Sequence, residues 1–129
     1  MSMTMTYLAL TALITVLMWI PYGLQMIQGQ GMMVAFGNRD NVKPMAPWAE
    51  RCKRAHANAV ENLVVFAPLV LVAQAVSMTN NTVDMAAMIY FWSRVVHYLC
   101  YTFGIIYLRT LAYTVGWICC LVIAWQVLV

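Results

Sequence analysis

Glu50-Arg51-Cys52-Lys53-Arg54-Ala55-His56-Ala57-Asn58-Ala59-Val60-Glu61-Asn62 runs without a break into Leu63-Val64-Val65-Phe66-Ala67-Pro68-Leu69-Val70-Leu71-Val72-Ala73. The first half holds five charged residues of a chain that has only 7 basic and 4 acidic in all. The second half is apolar throughout. A helix carrying both halves begins in water and enters hydrocarbon. Ionisable groups held at that depth are costly and mark a site by default.

The rest of the chain fits the same setting. Its 129 residues are 64% hydrophobic and 9% charged, whereas a soluble domain carries about 25% charged residues. This composition specifies an integral, multi-pass membrane protein of one domain, residues 1–129. At about 20 residues per crossing, four spans are expected, near 5–27, 48–76, 83–106 and 110–129. The first apolar stretch, Tyr7 to Ile27, has no basic segment before it and no small-residue cleavage site after it, and is read as a retained span. Pro21 is expected to kink it. Gln28-Gly29-Gln30-Gly31 should break the helix, and Gly37-Asn38-Arg39-Asp40-Asn41 with Pro44 and Pro47 forms a polar loop. The remaining links are short: Ser77 to Thr82, and a turn near Tyr107-Leu108-Arg109. Short links predict antiparallel neighbours, hence an all-α, up-down-up-down four-helix bundle.

Arg39, Lys43, Arg51, Lys53 and Arg54 lie in or beside the first loop, Arg109 at the third, and no Lys or Arg at the second. The positive-inside rule then places the first and third loops in the cytoplasm and both termini on the other side. Arg51, Lys53, Arg39 and Lys43 serve most simply as anchors there, with anionic headgroups as added contacts.

Two polar stripes follow from helical spacing. Arg51, Arg54, Asn58 and Glu61 recur every three or four residues on the second span, and Tyr90, Arg94, His97 and Tyr101 do so on the third. An unpaired arginine inside a membrane is expensive, so Arg94 is expected to pair with Glu61 on the facing helix. Arg109, Thr110 and Tyr113 open the fourth span with a cation, a hydroxyl and a phenol. His56 points about 140° away from Arg51 around the helix. It faces either a cleft shared with another subunit or the interfacial region, and it stays among the candidate binding residues. The bland alternative for the whole set is polar glue between helices, and for Arg94 with Glu61 an architectural pair.

Cys100, Cys119 and Cys120 read as buried thiols, while Cys52, between Arg51 and Lys53, could be reactive if exposed. His56 and His97 are the only histidines, which leaves no metal or haem ligand set. Nucleotide-binding and hydrolase motifs are absent, as is any basic surface large enough for nucleic acid. What remains is an anion-friendly cleft of arginine, amide, carboxylate, tyrosine and histidine. It suits a small zwitterion bearing carboxylates and an amine.

Three segments carry a resemblance over essentially the whole chain: Glu50-Arg51-Cys52-x-Arg54-Ala55-His56-x-Asn58-x-x-Glu61, Arg94-x-x-His97-x-x-x-Tyr101, and Arg109-Thr110-x-x-Tyr113. They are similar to those of the membrane-associated proteins in eicosanoid and glutathione metabolism, the MAPEG family, and the loop Gly37-Asn38-Arg39-Asp40 resembles that of bacterial members. The resemblance implies a homotrimer, in a bacterial inner membrane, with glutathione as co-substrate in a cleft between subunits. It implies that Arg54, Asn58 and Glu61 bind the charged ends of the peptide and that Arg94, His97 and Tyr101 shape the pocket. Arg109, assisted by Thr110, would stabilise the thiolate, with Tyr113 alongside. A lipophilic electrophile or lipid hydroperoxide would enter from the bilayer, giving a transferase or peroxidase activity. Ala57 stands where prostaglandin E synthase-like members have an arginine, which argues against that isomerase activity. The competing expectation is a non-catalytic membrane module of the same fold that binds a protein partner or lipid.

Overall fold

Ser2 starts the first helix, its Oγ accepting the N–H of Met5 at 3.1 Å, which satisfies one donor that a helix start leaves open. The helix, α1, covers Met3–Leu17. It is interrupted at Met18, whose N–H turns back to the Thr15 carbonyl at 3.3 Å, and it resumes as α2, Trp19–Gln30. Pro21 has no N–H to offer the Leu17 carbonyl, so the interruption falls where the sequence places a kink. Gly31, at φ 91°, separates α2 from the short α3, Met32–Phe36. Arg39 closes α3 by donating from Nε to the Ala35 carbonyl at 2.7 Å. The computed structural model describes residues 1–40 and 42–129, and Asn41 of the expected polar loop lies outside the described residues.

Pro47 sits in the first turn of α4, Pro47–Ala75, where its missing N–H costs nothing. Asn80 caps α5, Asn81–Phe103, through its Oδ1 and the Val83 N–H at 2.9 Å. Gly104 ends α5 in the left-handed region, φ 78°, and the Gly104 and Ile105 N–H groups return to the Tyr101 and Cys100 carbonyls at 3.2 and 2.8 Å. The final helix, α6, is Ile106–Leu128. The turn expected near Tyr107 to Arg109 is therefore at Gly104 and Ile105, and Arg109 belongs to the first turn of α6. Phe103-Gly104-Ile105-Ile106-Tyr107-Leu108 is apolar across the boundary, so hydropathy could not locate this turn; the glycine does, because a left-handed residue stops a helix.

The protein is all-helical among its described residues. Three stretches are long and apolar enough to cross a membrane: Met3–Gln30, Pro47–Ala75 and Ile106–Leu128. The expected fourth, α5, matches α6 in length at 23 residues, but Asp84, Arg94 and His97 lower its hydropathy. Its polar groups are covered by protein instead: α5 touches α1, α4 and α6, and Arg94 and His97 are each 2% exposed.

Polar contacts tie the helix ends together. At one end Ser2 Oγ donates to Gln74 Oε1 at 3.2 Å, Asp84 accepts from the Thr4 backbone and hydroxyl, and Asn80 Nδ2 donates to Gln126 Oε1 at 2.9 Å. At the other end Arg51 Nε donates to the Thr102 carbonyl at 3.1 Å. Arg51 therefore caps the C-terminus of α5, where a cation meets the negative end of the helix dipole. Between these ends the core is apolar, centred on the Phe66 and Tyr90 rings, stacked at 3.8 Å and 9°, with Val70, Ala87 and Ile123 around them. The outward faces are apolar too, with Val64, Trp92, Leu121 and Trp125 exposed.

Cys52 is buried, its Sγ 2.9 Å from Tyr98 Oη, and the Tyr98 hydroxyl donates to the Met18 carbonyl at 2.9 Å. The charged neighbours Arg51 and Lys53 point elsewhere on the helix. This thiol is packed between α1, α4 and α5 and is not an exposed nucleophile.

Candidate functional site

Gly116 decides how closely α6 approaches α5. A Cβ on it would lie 3.0 Å from Ser93 Oγ and 3.7 Å from Arg94 Cδ. With no side chain there, α6 covers the arginine directly. Arg94 Nη2 donates to Asn58 Oδ1 at 2.6 Å and lies 3.4 Å from His97 Nδ1, whereas its Nε is buried with no partner among the described residues. Asn62, one turn beyond Asn58, donates from Nδ2 to the Asn58 backbone carbonyl at 2.8 Å and to its Oδ1 at 3.2 Å. That contact turns the amide oxygen of Asn58 toward the guanidinium.

The expected Arg94 to Glu61 pair is therefore not what holds the arginine. Glu61 is exposed, because the stripe it shares with Asn58 winds outward by that point. The shorter, neutral amide takes the inner position. The consequence is electrostatic: the contacts of Arg94 are an amide and an imidazole, neither of which cancels a positive charge held in a low-dielectric interior. Such a group favours a bound anion.

From Arg94 a column of side chains runs toward the turn at Gly104. The His97 ring lies 5.7 Å from Tyr101 at 70° and 6.3 Å from Tyr113 at 50°. The Arg109 guanidinium stands 4.4 Å over the Tyr101 ring, an attraction of the cation to the aromatic face. Ile105, which precedes α6, offers no side-chain cap, so the first N–H groups of this helix add positive potential beside Arg109. Alongside the column a groove of about 640 Å³ opens between α4 and α6, with Asn58, Glu61, Asn62, Tyr113 and Trp117 in its walls. Its polar end is set by the α4 stripe, and Pro68, Leu69 and Leu121 continue it as an apolar trough.

Of the residues singled out in the sequence, the fold gathers Asn58, Arg94, His97, Tyr101, Arg109 and Tyr113, and sets Glu61 on the rim of the same groove. Arg54 and Thr110 are exposed, and Thr110 Oγ1 donates back to the Ile106 carbonyl at 3.2 Å. His56 stands apart, its Nδ1 2.7 Å from Tyr22 Oη. Sequence reasoning missed Asn62 and Gly116. The signal for Asn62 was its spacing of four from Asn58, which allows an amide to amide contact on one helix face.

No curated protein matches the chain in sequence. A family model does, across residues 4–129, which includes every member of the column and of the groove. The chain belongs to the MAPEG family, membrane-associated proteins in eicosanoid and glutathione metabolism.

Proposed function

We propose that this protein is a glutathione-dependent membrane enzyme, a transferase or peroxidase acting on lipophilic electrophiles or lipid hydroperoxides. The observation that carries the proposal is Arg94, a guanidinium 2% exposed, held by neutral groups at the head of a column that ends at Arg109. Family membership is what supports glutathione as the anion. Glutathione brings two carboxylates, an amine and a thiol. Arg54 and Asn58 suit the carboxylates, Glu61 suits the amine, and Arg94 holds Asn58 from behind and adds its charge to the site. Arg109 and the start of α6 lower the cost of forming a thiolate, as a nearby cation does for any thiol. In conjugation that thiolate attacks the electrophilic carbon, a C–S bond forms, the leaving group departs with its electron pair, and the thiol proton passes to solvent. The apolar trough suits entry of the second substrate from the bilayer.

In this reading three copies assemble, as the family resemblance implies, so that exposed Arg54 and Thr110 of one chain complete the cleft of a neighbour. The end carrying Arg39, Lys43, Arg51, Lys53, Arg54 and Arg109 faces the cytoplasm, in keeping with the positive-inside rule. Detergent-purified protein should melt at a higher temperature with glutathione and not with equimolar glycine, since a ligand at 100 times its Kd stabilises by about 2.7 kcal/mol. Conjugation to chlorodinitrobenzene should accompany it. An unchanged melting curve at saturating glutathione, together with no conjugation, would remove the proposal. Copurification of one stoichiometric protein partner would then favour the non-catalytic module, for which the exterior placement of Arg54 and Thr110 is the supporting observation.

A further inference from the structure

A second hollow lies between α2, α3 and the start of α4 and shares no lining residue with the groove. It encloses about 270 Å³ and is walled by Trp19, Tyr22 and Met26 of α2, Phe36 of α3, and two cations, Arg39 and Lys53. Its shape follows from local chemistry. Gly23 has no side chain, and a Cβ there would collide with the Trp19 ring at 2.5 Å, so the indole lies flat along α2 as one wall. Gly31 turns the chain so that α3 folds back over α2, and Arg39 is locked by its bond to the Ala35 carbonyl at 2.7 Å from a left-handed backbone, φ 63°. A non-glycine residue in that region stores strain that the surroundings must hold. Tyr22 is fixed from behind by His56 at 2.7 Å. His56, the motif residue left outside the Arg94 column, is thus tied to this hollow.

Position and charge select the occupant. Met3–Gln30 is 28 residues long, about 40 Å of helix at 1.5 Å per residue, whereas hydrocarbon is about 30 Å thick. The end of this stretch that runs into α3, Arg39 and the polar start of α4 therefore reaches headgroup depth, and Trp19 and Tyr22, in the first turn of α2, lie about two to three turns below it. A ligand for the hollow needs an anionic head for Arg39 and Lys53 and an apolar neck for Trp19, Met26 and Phe36. We propose that the hollow is a binding site for the phosphate headgroup of an anionic phospholipid, separate from the glutathione groove. A guanidinium in a fixed position matches two phosphate oxygens, the ammonium of Lys53 adds a second charge, and the first carbons below the phosphate lie against the aromatic walls.

The test uses the full chain in detergent, with bound lipids counted by native mass spectrometry after addition of dioleoyl phosphatidylglycerol, dioleoyl phosphatidylcholine or inorganic phosphate alone. Phosphatidylglycerol should bind in preference to phosphatidylcholine, and Arg39→Gln and Lys53→Gln should each weaken it about fivefold, the loss expected for one cation at an anionic surface. Lys43→Gln, which removes a cation of the same loop outside the hollow, should leave it unchanged. All three side chains are exposed, but Arg39 also closes α3 through the Ala35 carbonyl, so helical circular dichroism and melting temperature of each variant, measured without any ligand, serve as the independent check on the fold. Equal binding of the two lipids would overturn the site, as would an equal loss in Lys43→Gln or an undiminished preference in the Arg39→Gln/Lys53→Gln double variant. Displacement of the lipid by millimolar inorganic phosphate would overturn the assignment to a membrane lipid.

Discussion

Asn58 and Arg94 show how far a single side chain can redirect a site. Spacing alone places both on inward stripes, but it also places Glu61 there, and a buried arginine invites a carboxylate. The amide wins because Asn58 is half-buried where Glu61 is exposed, and because its oxygen is already oriented by Asn62. A hydrogen bond to a charged group contributes about 2 kcal/mol. A double-mutant cycle of Asn58→Ala and Arg94→Leu, measured as thermal stability without glutathione, should therefore return a coupling of about that size, and a cycle of Glu61→Gln with Arg94→Leu should return none. Arg109 is tested by its chemistry. Arg109→Ala should abolish the ultraviolet absorbance of bound glutathione thiolate while leaving helix content intact, because its contact with Tyr101 is on the protein periphery. Thiolate absorbance unchanged in that variant would move the anion-stabilising role to another cation.

The helices themselves follow ordinary signals. Ser2 and Asn80 cap α1 and α5, Pro47 opens α4, and Gly104 closes α5. The boundary between the last two helices was misplaced by about one turn because their apolar faces are continuous and only a backbone angle separates them. Gly104→Ala should cost about 1 kcal/mol, the penalty for a left-handed non-glycine residue, read as a lower melting temperature. Gly116→Val is predicted to be worse for function than for folding. Its methyl groups would press on Ser93 and Arg94, shifting α6 away from α5 and widening the distance between Arg109 and Tyr101. Loss of glutathione binding with retained helical circular dichroism is the expected outcome. Arg51 was read as an anchor at the membrane surface, and its bond to Thr102 adds a role that hydropathy cannot express, the capping of a different helix.

At the scale of the whole molecule, the polar interior is built by three helices around α5. That helix is too polar to register as a membrane crossing by composition, yet it packs against α1, α4 and α6. If three copies share the cleft, glutathione should protect the assembly as well as the chain. Chemical cross-linking in detergent should then yield a trimer band that is strengthened by glutathione. A chain that stays monomeric while still binding glutathione would restrict the cleft to a single subunit.

Composition and helical period by themselves determined the membrane setting, the number of long apolar stretches outside α5, and the inward-facing set Tyr90, Arg94 and His97. These are properties of local chemistry: transfer of side chains out of water, and a repeat of 3.6 residues that sorts them onto faces. Only the tertiary structure decided which side chain meets which. The pairing of Arg94 with Asn58, the seclusion of Cys52 behind Tyr98, the attachment of His56 to Tyr22 and the capping of α5 by Arg51 all depend on helix depth and separation. Those distances are set by Gly116, by the break at Met18 and by the turn at Gly104, where residues far apart in the chain are brought to contact.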